Sequence, residues 1–574
     1  MKKAISLVVI CFCLLTPGIS QQTTDLKQVF LAAESYYLFE EFEEALPLYL
    51  RLYRTYPDNY NLVFKIGVCY LNDPYEKDKS VFYLEKASEN INPKYKDSNI
   101  KELGAPLEAL FYLGNAYRVN NRLDKAKEAY KNFQSRMDTE IFNDELVLEQ
   151  LAACDAAEKL MKKPIDLDVK ILPNQLNTRF ADINPAVSGD GTKMVFISKL
   201  QFYDAVFYSE NKNGEWSYPR NITPELGVDG DVYPTSLSYD GSILFIYRND
   251  DFVGNLYTSA IVNGIWTPLV KLNENINTKF WESHASLSRD GNTLYFTSNR
   301  KGGYGGLDIY KSVKAEGSDW GVPVNLGSSV NSPYNEDTPF ISEDGSQIFF
   351  SSYGHYNMGG YDIFTSILNP DGTWAKPLNL GYPVNSTDDD LFFCPVGNGE
   401  IAYYPVYKEA GYGKHDIYQY QVYTADHPRK YEISGSFYYS GQTVKGNEVK
   451  ISIFRKNAID TLININPDDL GRFSFLLPEG KYSMIIDSKR FEKEIKSLEI
   501  NQNTPRSGII LSEPVKLDPL PEKRSQEELD DMLRLKETYL KVESNKPVEI
   551  DYEAEKGSIV IINHYVDSVL VKTD

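Results

Sequence analysis

Histidine, tryptophan and cysteine are scarce here, at five residues each in 574. The histidines, at 284, 355, 415, 427 and 564, fall in different segments, which argues against a local zinc motif. There is no H-E-x-x-H, and no G-x-S-x-G elbow of the kind that a propeller-linked hydrolase carries. Cys11 and Cys13 lie in an N-terminal apolar run. The other three, Cys69, Cys154 and Cys394, are too dispersed for a disulfide framework and read as buried thiols. Basic residues are in deficit, 60 Lys and Arg against 81 Asp and Glu, a formal charge of −21. Such a chain repels phosphates, which excludes a nucleic-acid binder, and an anionic membrane face repels it too. Beyond the N-terminus no stretch reads as a transmembrane helix, and no full set of barrel strands occurs.

What is abundant is tyrosine, 42 residues, with 37 Gly and 29 Pro, a composition that favours strands and turns. The N-terminus, MKKAISLVVICFCLLTPGISQQ, has a basic start at Lys2 and Lys3, an apolar run from Ala4 to Leu15, and small residues Gly18 and Ser20. It reads as a secretory signal peptide over residues 1–20, cleaved before Gln21, so the chain is expected to be exported. Neither Cys11 nor Cys13 follows a small residue at the end of the run, so a lipid anchor is not expected.

Residues 24–163 read as helical. Ala45, Tyr49 and Pro57 stand at the spacing of a tetratricopeptide repeat, and IGVCY (66–70) and LGNAY (113–117) resemble its first-helix signature. Ala126 and Tyr130 follow where the second helix needs a small and then an aromatic residue. The two signatures start 47 residues apart, beyond the usual period of about 34, and the excess is the polar insertion INPKYKDSNIKEL (91–103). Three repeats are expected, capped by a helix near 140–162. Such an α-solenoid presents a concave face that suits a peptide segment of a partner; docking onto the next domain is the alternative.

Ser188, Ser238, Ser288 and Ser342 each stand two residues before Asp190, Asp240, Asp290 and Asp344, and Gly follows each Asp. The Asp positions step by 50, 50 and 54 residues; Trp216, Trp266, Trp320 and Trp374 step by 50, 54 and 54. A weaker fifth copy has Asn398-Gly399 at the turn and ends in HDIYQYQV (415–422), matching LDIYKSV (307–313). This period fits a four-stranded propeller blade, so residues 164–426 are expected to form a five-bladed β-propeller. The stretch VKILPNQLNTRFADINPAVS (169–188) aligns with VKLNENINTKFWESHASLS (270–288). A strand near 169–172 therefore precedes its own circle and is expected to complete the last blade, pairing an otherwise open edge. The Gly-rich loops, as in SNRKGGYGG (298–306), read as hairpin chemistry; no helix follows to make a phosphate cradle.

These repeats resemble the WD40-like PD40 repeats of TolB-like propellers, a resemblance that implies fold and leaves function open. The loops expected on one face carry Tyr233, Arg248, Trp281, Arg300, Tyr304, Tyr334, Tyr353, Tyr356 and Tyr412, and aromatics with Arg anchor interfaces. Packing between blades is the alternative for the aromatics. His284, His355 and His415 fall in the repeats, but no metal or cofactor site is expected. Asp388-Asp389-Asp390 lacks the alternation of a calcium loop and reads as a solvated loop.

Residues 431–512 alternate as strands, and Gly435, Gly471, Phe473, Phe475, Pro478, Gly480 and Tyr482 resemble the carboxypeptidase-regulatory-like module, a small transthyretin-like β-sandwich. Residues 513–574 give a Pro-rich linker, a helix near 525–541 with a Ser525–Glu528 capping box, and a short β-like tail. The order of modules resembles PorE-like members of the OmpA family of envelope proteins, here lacking the OmpA-like domain. That resemblance implies a periplasmic, outer-membrane-associated protein whose helical groove and propeller face bind other envelope proteins, in a type IX secretion or gliding apparatus. Direct peptidoglycan binding is not implied. No catalytic constellation is expected; a glycan- or peptide-binding or -hydrolysing propeller is the alternative, to be judged by whether carboxylates converge in the central channel.

Overall fold

The computed structural model describes residues 26–511 except 251, 316, 426, 440, 441, 444–447, 457, 459 and 502, together with 515–517, 565, 566, 569 and 570. The expected signal peptide, most of the linker and the expected helix near 525–541 lie outside the described residues. The chain divides into two units, Met1–Val422 and Tyr423–Asp574.

The first unit opens with seven helices: α1 (Leu26–Leu38), α2 (Phe42–Thr55), α3 (Tyr60–Leu71), α4 (Asp78–Ser88), α5 (Ala109–Val119), α6 (Leu123–Arg136) and α7 (Asp144–Met161). Small residues let them pair closely. A Cβ on Gly67 of α3 would come 2.6 Å from Leu84 Cγ of α4, and one on Gly114 of α5 would overlap the Tyr130 ring of α6. Ala45 and Ala126 are fully buried beside Tyr49 and Tyr130. Asn59 caps α3 by accepting from the Leu62 N–H (3.1 Å), and Asn143 caps α7 by accepting from the Glu145 N–H (2.9 Å). The 91–103 insertion is an ordered loop whose ends meet, with Ile91 bridged to Ala105. Buried Glu102 pins it by accepting from Asn92 Nδ2 and from the N–H groups of Lys96, Leu103 and Gly104 (2.9–3.2 Å).

Five antiparallel sheets follow, starting at Ala181–Val187, Val232–Leu237, Glu282–Leu287, Glu336–Ile341 and Cys394–Val396. In each, the second strand comes after a tight turn: Gly191, Gly241, Gly291 and Gly345 take φ of +64° to +74° in the Ser-x-Asp-Gly sequences, where a side chain would be strained. The Ser hydroxyl donates to the Asp carboxylate two residues on, at 2.6–2.8 Å in all four copies. The outer strand of the fifth sheet comes from upstream: Leu167–Ile171 pairs antiparallel with Tyr418–Val422, Leu167 opposite Val422.

The sheets follow one another in a closed circle of shared cores. Ile197 and Ile246 join the first to the second, Phe245 and Phe296 the second to the third, and Tyr295 and Phe350 the third to the fourth. Phe349 and Tyr404 join the fourth to the fifth, and Tyr403 and Phe196 the fifth back to the first. The four repeated tryptophans are wedges at these seams. Trp216 meets Tyr403, Trp266 meets Tyr208 and Trp374 meets Tyr295, each edge-on at 5.7–6.4 Å, while Trp320 packs with Phe245 and Leu256. Removing one such wedge costs about 3–5 kcal/mol.

In the second unit two sheets share one core. One is built on Lys430–Tyr439 and Arg472–Pro478, the other on Lys450–Arg455, Thr461–Ile465, Gly480–Asp487 and Glu494–Ile500. Along Arg472–Pro478 the burial alternates as the pleat requires: Phe473, Phe475 and Leu477 point into the core. The short strands Tyr565–Val566 and Val569–Leu570 pair with each other.

Candidate interaction face and central cavity

The Gly-rich loops connect the second and third strands of their sheets. Asp308, first residue of a third strand, accepts from the N–H groups of Tyr304 (2.6 Å) and Gly305 (3.0 Å). Asp362 accepts likewise from Met358 (2.7 Å), and Asp416 from Tyr412 (2.8 Å). The loop amides thus turn to a carboxylate of their own strand. The glycines are there because the loop presses on the next sheet: a Cβ on Gly305 would overlap the Tyr334 carbonyl oxygen and sit 2.7 Å from that of Ser332.

A second recurring set joins neighbouring sheets. Asn177, Asn277, Asn331 and Asn385 each use their side-chain oxygen to accept from a third-strand N–H, of Ile417, Leu256, Ile309 and Ile363, at 2.7–2.8 Å. The next residue, Thr178, Thr278, Ser332 or Ser386, donates its backbone N–H to a buried carboxylate four positions on: Asp182, Glu282, Glu336 or Asp390. Burial pushes the Asp182 carboxyl up to about 6 and Asp362 up to about 7; Asp390 is raised well above the ordinary range by burial and then by Asp362. The spacing Asn-[Ser/Thr]-x-x-x-[Asp/Glu] stands in the sequence at steps matching the Ser-x-Asp-Gly repeat, and would have located this network.

The innermost strands break register between Ile183 and Ala186, Pro234 and Ser236, Ser283 and Ala285, and Asp337 and Phe340. Equivalent residues Asn184, Pro234, His284, Thr338 and Phe392 line a cavity of about 20 Å³ there, room for about one water. Beside it His284 Nδ1 is 2.9 Å from Asp337 Oδ1, which also accepts from Ser283 Oγ (3.0 Å). Burial alone would raise Asp337, yet His284 and these donors hold it below the ordinary carboxylate value. At the Ser-x-Asp-Gly end, Arg289 pairs with Glu343 (2.5 Å) and covers the Tyr239 ring (4.4 Å). His355 bonds the Val330 carbonyl and His415 bonds Tyr75, so neither joins His284. Among the described residues no three His, Cys, Asp or Glu gather as metal ligands. Cys69, Cys154 and Cys394 are free and buried.

At the Gly-rich-loop end the helices dock over the fourth and fifth sheets. Buried Arg118 of α5 donates to the Thr387 carbonyl (2.5 Å), Lys77 pairs with Asp388 (2.5 Å), and Tyr75 OH meets His415 Nδ1 (3.1 Å). Met358 packs against Ala156 and Ala157 of α7. Burial, then Lys199, Lys77 and Lys414, depress His415 to about 4. The expectation of a solvated loop at 388–390 holds for Asp389, which is exposed although it accepts from the Tyr361 N–H (2.9 Å), and needs correction for its neighbours: Asp388 is tied to Lys77, and Asp390 is buried and accepts from Tyr404 OH (2.8 Å).

The nine residues expected on the interaction face divide into groups. Arg300 is spent inside its own sheet, on Ser298 Oγ, the carbonyls of Asn275 and Ile276, and Glu282 (2.7–3.3 Å). Tyr353 lies near Arg118, under the docked helices, with Tyr334 tilted against it at 6.3 Å. Tyr233 and Trp281 flank Tyr247 (6.2 and 5.7 Å), and Arg248 pairs with Asp250 (3.2 Å). Tyr304, Tyr356 and Tyr412 are about half exposed. Sequence reading missed Phe202 and Phe252, 88% and 94% exposed in the corresponding loops of the first two sheets. It also missed Arg118, Lys77 and Tyr75, for which no local pattern exists.

The tetratricopeptide repeat family matches residues 108–136, which hold α5 and α6. No curated protein matches the chain. Among solved structures, TolB from Acinetobacter baumannii is similar at 18% identity over 43% of this chain, with a TM-score of 0.30; the match spans 57% of the TolB chain, under two thirds of its length. The xyloglucan-locus GH43B protein of Bacteroides ovatus gives 11% identity, 58% and 92% coverage of this chain and its own, and 0.31. The GH62 α-L-arabinofuranosidase catalytic domain of Coprinopsis cinerea gives 10%, 45% and 97%, and 0.30. At these scores the likenesses carry no argument about activity. Among the described residues no helix is long and apolar enough to cross a membrane.

Proposed function

We propose that the chain is a non-catalytic scaffold of the cell envelope. In this reading the five cyclic sheets are the blades of a five-bladed β-propeller closed by Leu167–Ile171, and the Lys430–Ile500 sheets are a transthyretin-like sandwich. The protein is exported by its first 20 residues, works in the periplasm at the outer membrane, and binds other envelope proteins as PorE-like proteins do, in a type IX secretion or gliding apparatus. One observation carries the scaffold reading. The helices cover the fourth and fifth sheets, while Phe202, Phe252 and Tyr304 stand exposed on the loops of the first three. Exposed aromatics gathered on one face are the usual anchors of protein interfaces. A central cavity the size of one water favours this over a sugar threaded along the axis. Photo-crosslinking in intact cells, with a photoreactive residue placed at 202, 252 or 304, followed by mass spectrometry tests it: links to other envelope proteins are expected, and repeated recovery of the chain alone overturns it.

A further inference from the structure

An open cavity of about 360 Å³ lies on the helical region, and no residue of the β-rich sheets lines it. Its walls come from the first helix of each pair: Glu34 and Tyr37 from α1, Lys65 from α3 and Tyr112 from α5, with Glu40 and Phe42 at the α1–α2 turn. The 91–103 insertion supplies the remaining wall. Tyr95 and Asp97 fold back over α3, where Tyr95 OH donates to Asn61 Oδ1 (2.8 Å) and Lys65 Nζ donates to Asp97 (3.1 Å). Lys65 is buried, with Glu34 at 3.6 Å and the Tyr37 ring 4.0 Å below its ammonium.

That lysine fills only part of the local charge demand. Three carboxylates, of Glu34, Glu40 and Asp97, line the cavity with one ammonium; buried Glu34 also accepts from Tyr49 OH (2.6 Å), which leaves the surplus on exposed Glu40 and on Asp97, itself 70% exposed. Aromatic walls with surplus carboxylates suit a cation, by ion pairing and by its attraction to ring faces. Leu38 and Phe39, 77% and 72% exposed nearby, offer contact for the chain that carries the cation.

We infer that this cavity receives an arginine or lysine side chain of an extended peptide, and that the insertion is what converts a generic helical groove into a cation-selective pocket. The inference deepens the scaffold reading by giving the helical region's partner a chemistry.

Saturation-transfer NMR on the full chain tests it, with N-acetyl-arginine methylamide as probe, its lysine counterpart, and the uncharged citrulline analogue as control. The charged probes should bind saturably and the citrulline analogue much more weakly. Asp97→Asn and Glu40→Gln should each weaken binding about fivefold, the loss of one partly screened ion pair. Glu40 is exposed at a helix end, so Glu40→Gln keeps the test readable if Asp97→Asn disturbs the loop. Equal binding of citrulline, no saturable binding of either cation, or wild-type binding in both variants overturns the inference. Partners captured in cells whose recovery survives both substitutions would leave the scaffold reading standing and remove this pocket from it.

Discussion

Asp362 offers a quantitative test of how burial sets the titration of the carboxylates that hold the Gly-rich loops. It is fully buried, accepts from the Met358 N–H (2.7 Å) and Asn379 Nδ2 (2.6 Å), and burial lifts its carboxyl from 3.8 to about 7. A carboxyl raised in the folded state keeps its proton where the unfolded chain has lost it. Its stabilising contribution is complete below 3.8 and is lost as pH rises through about 7. At about 1.4 kcal/mol per pH unit, this one group makes the fold about 2.5 kcal/mol less stable at pH 8 than at pH 5. Asp182 and Asp390 act in the same direction and His415 in the opposite one, so the comparison must be between wild type and Asp362→Asn. The variant removes the titration while retaining a side-chain oxygen to accept from Met358. The assay is convenient because all five tryptophans, Trp216, Trp266, Trp281, Trp320 and Trp374, lie in the circle of sheets. Urea unfolding followed by tryptophan fluorescence therefore reads that region and is blind to the second unit. The wild-type difference between pH 5 and pH 8 should shrink in Asp362→Asn by about 2.5 kcal/mol. An unchanged difference refutes the reasoning, and with it the claim that burial raises the Asp362 carboxyl.

Arg118→Met should destabilise the first unit by about 2 kcal/mol, since it leaves the Thr387 carbonyl without its charged donor; the same urea titration measures it. Gly305→Ala should cost about 3 kcal/mol or more, through overlap with the Tyr334 carbonyl oxygen, whereas Gly302→Ala, with φ of +92° and open space around it, should cost only about 1 kcal/mol of backbone strain. Thermal unfolding of the two variants side by side separates packing from conformation. For His415, depressed to about 4, the unfolded chain takes up a proton first, so stability falls as pH drops through 6.5 and the loss is complete below about 4. His415→Leu should flatten that acid limb in the fluorescence-detected titration.

Much of the helical and sheet layout was legible because it rests on local rules. A small residue where two helices touch, at Gly114 and Ala126, and a glycine with positive φ after each Ser-x-Asp are demands that neighbouring backbone makes of single positions. The tryptophan period was equally legible, although its reason, a wedge at four of the five seams, appears only once the sheets are side by side. The interaction face was harder to read. Arg300 and Tyr353 look in sequence like the exposed Tyr304, and nothing near them in the chain marks the partners that engage them. The Asp388–Asp390 run reads as a solvated loop because it lacks the alternation of a calcium loop. It is stable because each meets a different partner, Lys77, the Tyr361 amide and Tyr404.

Covalent neighbours and backbone sterics fixed the turns, and internal repetition in the chain marked the periods and the strand that precedes its circle. Tertiary structure alone decided which faces stay open. The contact that seats the helices joins Arg118 to Thr387 across 269 positions, and the carbonyl that accepts that buried charge exists as a site only after both regions have folded.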